Sequence, residues 1–235
     1  ISVSYLKKLR QGVAANLYPE LGDIPIQRIT SPLIKTTLMP IQRRGSTDML
    51  RFILRTTGEI FDYAKAEGIF TGDNPAHALR KNVFTQHRGE HMAALDWSRM
   101  NGYLNRLEGC PGEFATVCCV RLMILTACRP GEARGAKWSE FDLTQHCWTI
   151  PAERMKGRKV HKIPLASQAI AMLRELHQVT GHKEFLFPSK HGAKNSILSD
   201  VALLKCVRRT DAPESNITAH GFRAVFRTHA EESGL

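Results

Sequence analysis

Residues 113–142 read EFATVCCVRLMILTACRPGEARGAKWSEFD, and the character of the chain changes twice within them. Over 113–126, Val117, Val120, Leu122, Met123, Ile124 and Leu125 leave almost no polar face, which predicts a helix buried nearly all round. Cys118 and Cys119 fall in this run, where a thiol behaves as a small hydrophobe. Arg129-Pro130-Gly131-Glu132 then breaks the pattern. From Trp138 onward come short segments rich in aromatic and β-branched residues, at 138–142 and 147–151. Residues 159–164 pair with the latter across a turn at Lys156-Gly157-Arg158, giving a small β-sheet or hairpin.

Outward from this stretch the chain reads as helical. A helix over 98–108 precedes it. Beyond the hairpin Ser167 caps a helix to Gly181, Phe185-Leu186-Phe187 forms a short segment, and helices cover 196–209 and 218–233. Residues 1–80 are predicted all-helical. Tyr5, Leu6, Leu9, Val13 and Leu17 share one face of a first helix, Pro19 and Gly22 break the chain, and Thr30-Ser31-Pro32 starts a short helix. Ser46 or Thr47 caps another, in which Leu50, Ile53, Ile60, Phe61 and Ala64 recur at helical spacing until Gly68 closes it. Residues 81–94 lack apolar periodicity and read as a linker. The expectation is a mainly α protein with a small β-sheet, in two domains: helical over 1–80, and α+β over 95–235.

The 235 residues carry a net charge of +11, from 33 Lys and Arg against 22 Asp and Glu. The excess is spread along the chain, 12 basic against 7 acidic residues up to residue 85 and 21 against 15 beyond it. A basic surface on two successive domains suits a polyanion as partner, although basic proteins that bind nothing specific are common. No apolar run approaches the roughly 18–20 residues of a membrane span. The six cysteines form no CxxC pair, as in reduced thiols of a cytoplasmic protein. His87 and His91 stand one helical turn apart without a third partner, so no metal site is expected. Neither a P-loop nor a GxGxxG motif is present. Arg51 and Arg55 stand one turn apart on the 48–67 helix, with Arg43 and Arg44 ahead of its cap. They could straddle a phosphate backbone or form a solvated face, and both readings stay open.

Three segments carry the sharper signal. Thr126-Ala127-Cys128-Arg129-Pro130-Gly131-Glu132 follows the buried helix. Met155-Lys156-Gly157-Arg158-Lys159-Val160-His161-Lys162-Ile163-Pro164-Leu165 lies on the hairpin. His220-Gly221-Phe222-Arg223 opens the last helix. In this order they resemble the first Arg box, the hairpin Lys and the HxxR box of the tyrosine recombinases, and most nearly the prophage and genomic-island integrases. The resemblance spans essentially the whole chain. Residues 1–80, with Asp73-Asn74-Pro75-Ala76 near their end, look like that family's core-binding domain.

The resemblance implies a C-shaped two-domain clamp on DNA of the breaking-rejoining type, the first domain gripping through Arg43, Arg44, Arg51 and Arg55. Arg129 and Arg223 are the implied clamp on the scissile phosphate. Their guanidiniums stay ionised and donate bidentately to the oxygens that gather charge at pentacoordinate phosphorus. Lys156, eight residues before Pro164, is the implied acid for the leaving 5′ oxygen, with Arg158 and Lys159 as DNA contacts beside it. His220 is the implied accessory acid/base, and Glu132 a structural support. No metal, ATP or other cofactor is implied. The implied partners are double-stranded attachment sites, a homotetramer on DNA for the full-length protein, and accessory DNA-bending proteins, in the nucleoid of the bacterial cytoplasm.

One departure stands out. Tyr5, Tyr18, Tyr63 and Tyr103 all precede Arg129, so no tyrosine follows HxxR where the family keeps its nucleophile. The chain reads as a fragment that lacks this tyrosine and an N-terminal arm-binding domain, and is expected to bind DNA without cleaving it. A regulator that binds DNA without catalysis and a type IB topoisomerase are the competing readings.

Overall fold

The computed structural model describes residues 3–79, 84, 94–190, 196–210 and 217–234. The chain divides into two compact units, 1–89 and 90–235. The stretch read as a linker, 81–94, lies outside the described residues apart from positions 84 and 94.

The first unit holds α1 (Val3–Asn16), α2 (Tyr18–Leu21), α3 (Ser31–Arg43) and α4 (Thr47–Ala66). Both α1 and α3 pack on α4, burying Leu17, Ile34, Leu38, Ile41, Leu50, Ile53 and Phe61. The approach of α1 is close at Gly12, where a Cβ would lie 2.9 Å from Ile53 Cδ1. Leu6, assigned above to the apolar face, is exposed. The covered face of α1 runs through Leu9, Gly12, Val13 and Asn16, and Leu6 stands at its edge in the first turn of the helix. The helix that starts at Ser31 is not short, and Pro40 stands in its last turn, where it leaves the Thr36 carbonyl without a helical N–H donor. Gly68 closes α4 at φ +69: its N–H donates to Lys65 O and that of Ile69 to Ala64 O, which satisfies the last carbonyls.

The second unit is built around α6 (Phe114–Thr126). Cys118, Cys119, Val120, Leu122 and Met123 are buried as α8 (Ser167–Thr180), α9 (Asp200–Thr210) and α10 (Gly221–Glu232) pack about it. The remaining helices are α5 (Met100–Glu108) and α7 (Pro130–Arg134). Strands β1 (Phe141–Asp142), β2 (Cys147–Ile150) and β3 (His161–Pro164) form an antiparallel sheet in that order, with Trp148 opposite Phe141 and Ile163.

The sheet is smaller than the apolar pattern suggested. Trp138–Glu140 is a 3-10 turn, and a second such turn, Ala152–Arg154, separates β2 from the loop at Lys156. Ala166, not Ser167, is the N-cap of α8, and the Ser167 hydroxyl pairs with the Gln168 side chain instead. At the far end of α10 the His229 ring stacks on Trp97 at 3.6 Å.

Candidate active site

α6 ends at Ala127, which takes the left-handed conformation with φ 48°. From there Cys128 enters the core, and Arg129 stands extended at the entrance to α7. Pro130 suits the first position of that helix, since its φ is already helical and it has no N–H to satisfy. Glu132, in the first turn of α7, reaches back. Its carboxylate accepts from the Arg129 backbone N–H at 2.8 Å and from Arg129 Nη1 at 2.6 Å. The Glu132 side chain is 7% exposed and that of Arg129 45%, so a sheltered anion aims a guanidinium whose other donors remain accessible.

Arg223, in the first turn of α10, comes to the same loop from 96 residues away, and its Nη1 donates to the Ala127 carbonyl at 2.6 Å. The two arginines are therefore held at either end of a three-residue segment. Charge marks the same proximity at Cys128: burial pushes its thiol up to about 11, the Thr126 side chain and Arg223 guanidinium oppose the rise, and Glu132 adds to it. His220, exposed, is the N-cap residue of α10 but makes no capping hydrogen bond through its side chain. Thr218 accepts instead, its Oγ1 lying 3.1 Å from the Gly221 nitrogen.

Lys156 is exposed in a turn that closes when the Arg158 N–H donates to the Met155 carbonyl at 3.0 Å, Arg158 taking φ 49°. Lys159 follows it, also exposed. The root of this turn is Arg154. Its guanidinium pairs with the Glu140 carboxylate and donates to the Glu132 backbone carbonyl, and Glu140 also accepts from Trp148 Nε1 at 2.9 Å. Sequence reasoning passed over both Arg154 and Glu140. In a one-dimensional reading a buried ion pair looks like two surface charges. The available hint was Glu140's place in the aromatic segment 138–142.

The structure thus gathers Arg129, Glu132 and Arg223 at one loop, with His220 on the helix of Arg223 and the Lys156 turn tied to the helix of Glu132. Arg43, Arg44, Arg51 and Arg55 belong to the other unit, where all are exposed. Arg44 Nη2 lies 3.4 Å from Asn16 Oδ1. Arg55 donates to Tyr5 Oη at 3.1 Å and pairs with Glu59 at 3.4 Å. His87 and His91 lie outside the described residues. Among the described residues no helix is long and apolar enough to cross a membrane.

Residues 90–235 match the Phage integrase family, and residues 1–82 match the Phage integrase central domain. This chain belongs to the phage integrase family. Among the relatives of this chain, prophage integrase IntZ of Escherichia coli K12 is 33% identical over 233 residues, covering 99% of this chain and 56% of its own length. The integrase of Enterobacteria phage P4 is 29% identical over 232 residues, covering 93% and 52%. The chain therefore spans about half the length of these relatives. The fold is also that of lambda integrase. A dimer of its residues 75–356 on a COC′ core site matches with TM-score 0.77 at 20% identity, over 99% of this chain and 84% of that one. A lambda integrase tetramer on a Holliday junction matches at 0.74 and 19%, over 99% and 68%.

Proposed function

We propose that the full-length protein is a tyrosine-type site-specific recombinase that integrates or excises a mobile element by transesterification at DNA phosphodiesters. Residues 1–80 act as the core-binding domain and 95–235 as the catalytic domain, joined by 81–94. The observation that carries this reading is the hydrogen bond from Arg223 to Ala127, which puts two guanidiniums on one loop. Two fixed cations on one loop suit the non-bridging oxygens of a phosphorane, where negative charge develops.

In the reaction a tyrosine Oη–P bond forms as the P–O5′ bond breaks. Lys156 gives its proton to the departing 5′ oxygen, and His220 takes the phenol's proton as accessory base. The phosphotyrosine retains the energy of the broken bond, so rejoining needs no external fuel. All four tyrosines precede Arg129, so we assign the nucleophile to a segment outside these 235 residues. Arg43, Arg44, Arg51, Arg55, Arg158 and Lys159 hold DNA phosphates. The partners are double-stranded attachment sites and, as in the lambda tetramer, further copies of the protein on paired sites, with accessory DNA-bending proteins, at the nucleoid of a bacterial cytoplasm.

The test is a duplex nicked beside the crossover point, which traps the covalent intermediate. Full-length protein is expected to become attached to it, and Arg129→Ala or Arg223→Ala to slow attachment by about 100- to 1,000-fold. Full-length protein that binds the duplex but never becomes attached overturns the proposal.

A further inference from the structure

Two charged side chains of the second unit have no part in the reaction as written and yet are largely sealed from solvent: Arg154 is 19% exposed and Glu140 5%. Apolar side chains of similar size would cost less to bury, so stability alone does not account for this pair. The geometry points to another use. Arg154 Nη1 faces both Glu140 oxygens while Nη2 donates to the Glu132 carbonyl. At its other end the same Glu132 holds Arg129 through the carboxylate. The guanidinium fits against α7 because position 135 is glycine; a Cβ there would lie 3.0 Å from Arg154 Nη2. On the other side of Arg154 stands Met155, packed on the core, and then Lys156 in its closed turn.

We infer that Arg154, locked by Glu140, is a positioning residue that sets where Lys156 stands relative to Arg129. The inference rests on Lys156 being the acid of the reaction proposed above. Arginine suits the task because a planar fork meets a carboxylate and a carbonyl at once, which an ammonium on a flexible stem does not reproduce.

The experiment measures cleavage by full-length protein of two duplexes bearing its attachment core. One has the ordinary scissile phosphate and the other has sulfur in place of the bridging 5′ oxygen. Sulfur leaves as thiolate and needs no proton, so a defect in the acid disappears on the second duplex. Arg154→Met is expected to slow the oxygen duplex about 100-fold and the sulfur duplex less than about 3-fold, the pattern also expected of Lys156→Ala. The readout is a ratio on one preparation, so partial unfolding cancels. Glu140→Gln, read in the same way, is expected to show the same selectivity and serves should Arg154→Met fail to fold. With Lys156→Ala rescued by sulfur, equal slowing of both duplexes by the Arg154 and Glu140 variants, or no slowing, overturns the positioning role alone. Equal slowing by Lys156→Ala overturns the acid assignment and the positioning role with it.

Discussion

Ala127 shows how much depends on one backbone conformation. A left-handed alanine costs about 1–2 kcal/mol, and here that conformation carries the chain from the end of α6 to Arg129 while its carbonyl receives Arg223. Ala127→Gly is expected to raise stability by up to about 1 kcal/mol in chemical denaturation, and Ala127→Val to lower it by at least as much. The neighbouring Cys128 makes a second expectation. Burial raises its thiol to about 11, as it raises Cys118 and Cys206 to about 12. A thiol whose folded value exceeds the ordinary 9.0 stabilises the fold fully below pH 9. That contribution is lost as pH rises from 9 through about 11, because the unfolded chain gives up its proton first. Melting temperature should fall over this range, and fall less in Cys128→Ala.

Among the elements, the contact between α1 and α4 and the link between the hairpin loop and α7 rest on different physics. At Gly12 the limit is steric. An alanine Cβ meets the flexible end of Ile53, which can yield, and helix propensity gains about 1 kcal/mol, so Gly12→Ala should be near neutral. Gly12→Leu should cost about 1–3 kcal/mol, because the close approach of the helices leaves no room for it. At Glu140 the limit is electrostatic. Glu140→Ala leaves the Arg154 guanidinium largely buried without its carboxylate and should cost about 3 kcal/mol in urea denaturation. Replacing both residues, Glu140→Met with Arg154→Leu, should cost less than Glu140→Ala alone, since no uncompensated charge remains.

For the whole molecule the governing quantity is the charge of +11. Binding to duplex DNA is expected to weaken steeply with salt, each phosphate contact adding about 0.9 to the slope of log K against log salt. Neutralising Arg43, Arg44, Arg51 and Arg55 together should flatten that slope by about three units or more. An unchanged slope would remove them as phosphate contacts. Pairing with Glu59 is expected to reduce the contribution of Arg55.

Helix α6, the loop after it, the turn at Lys156 and the helix that His220 opens were legible in the sequence, because continuous apolarity and turn residues are local properties of the chain. The division into a helical half and a mixed half was legible for the same reason. Local pattern misjudged Leu6, whose burial depends on which neighbour covers the stripe, and the 138–142 segment, where a 3-10 turn replaces most of a strand. Nothing local distinguishes Arg154 and Glu140 from solvated charges. Their burial, and the meeting of Arg223 with a carbonyl 96 positions earlier, exist only once α6, α7, α10 and the sheet pack around one another. Hydrogen bonds and ion pairs act over a few ångströms of space, and the order of residues along a chain does not record that distance.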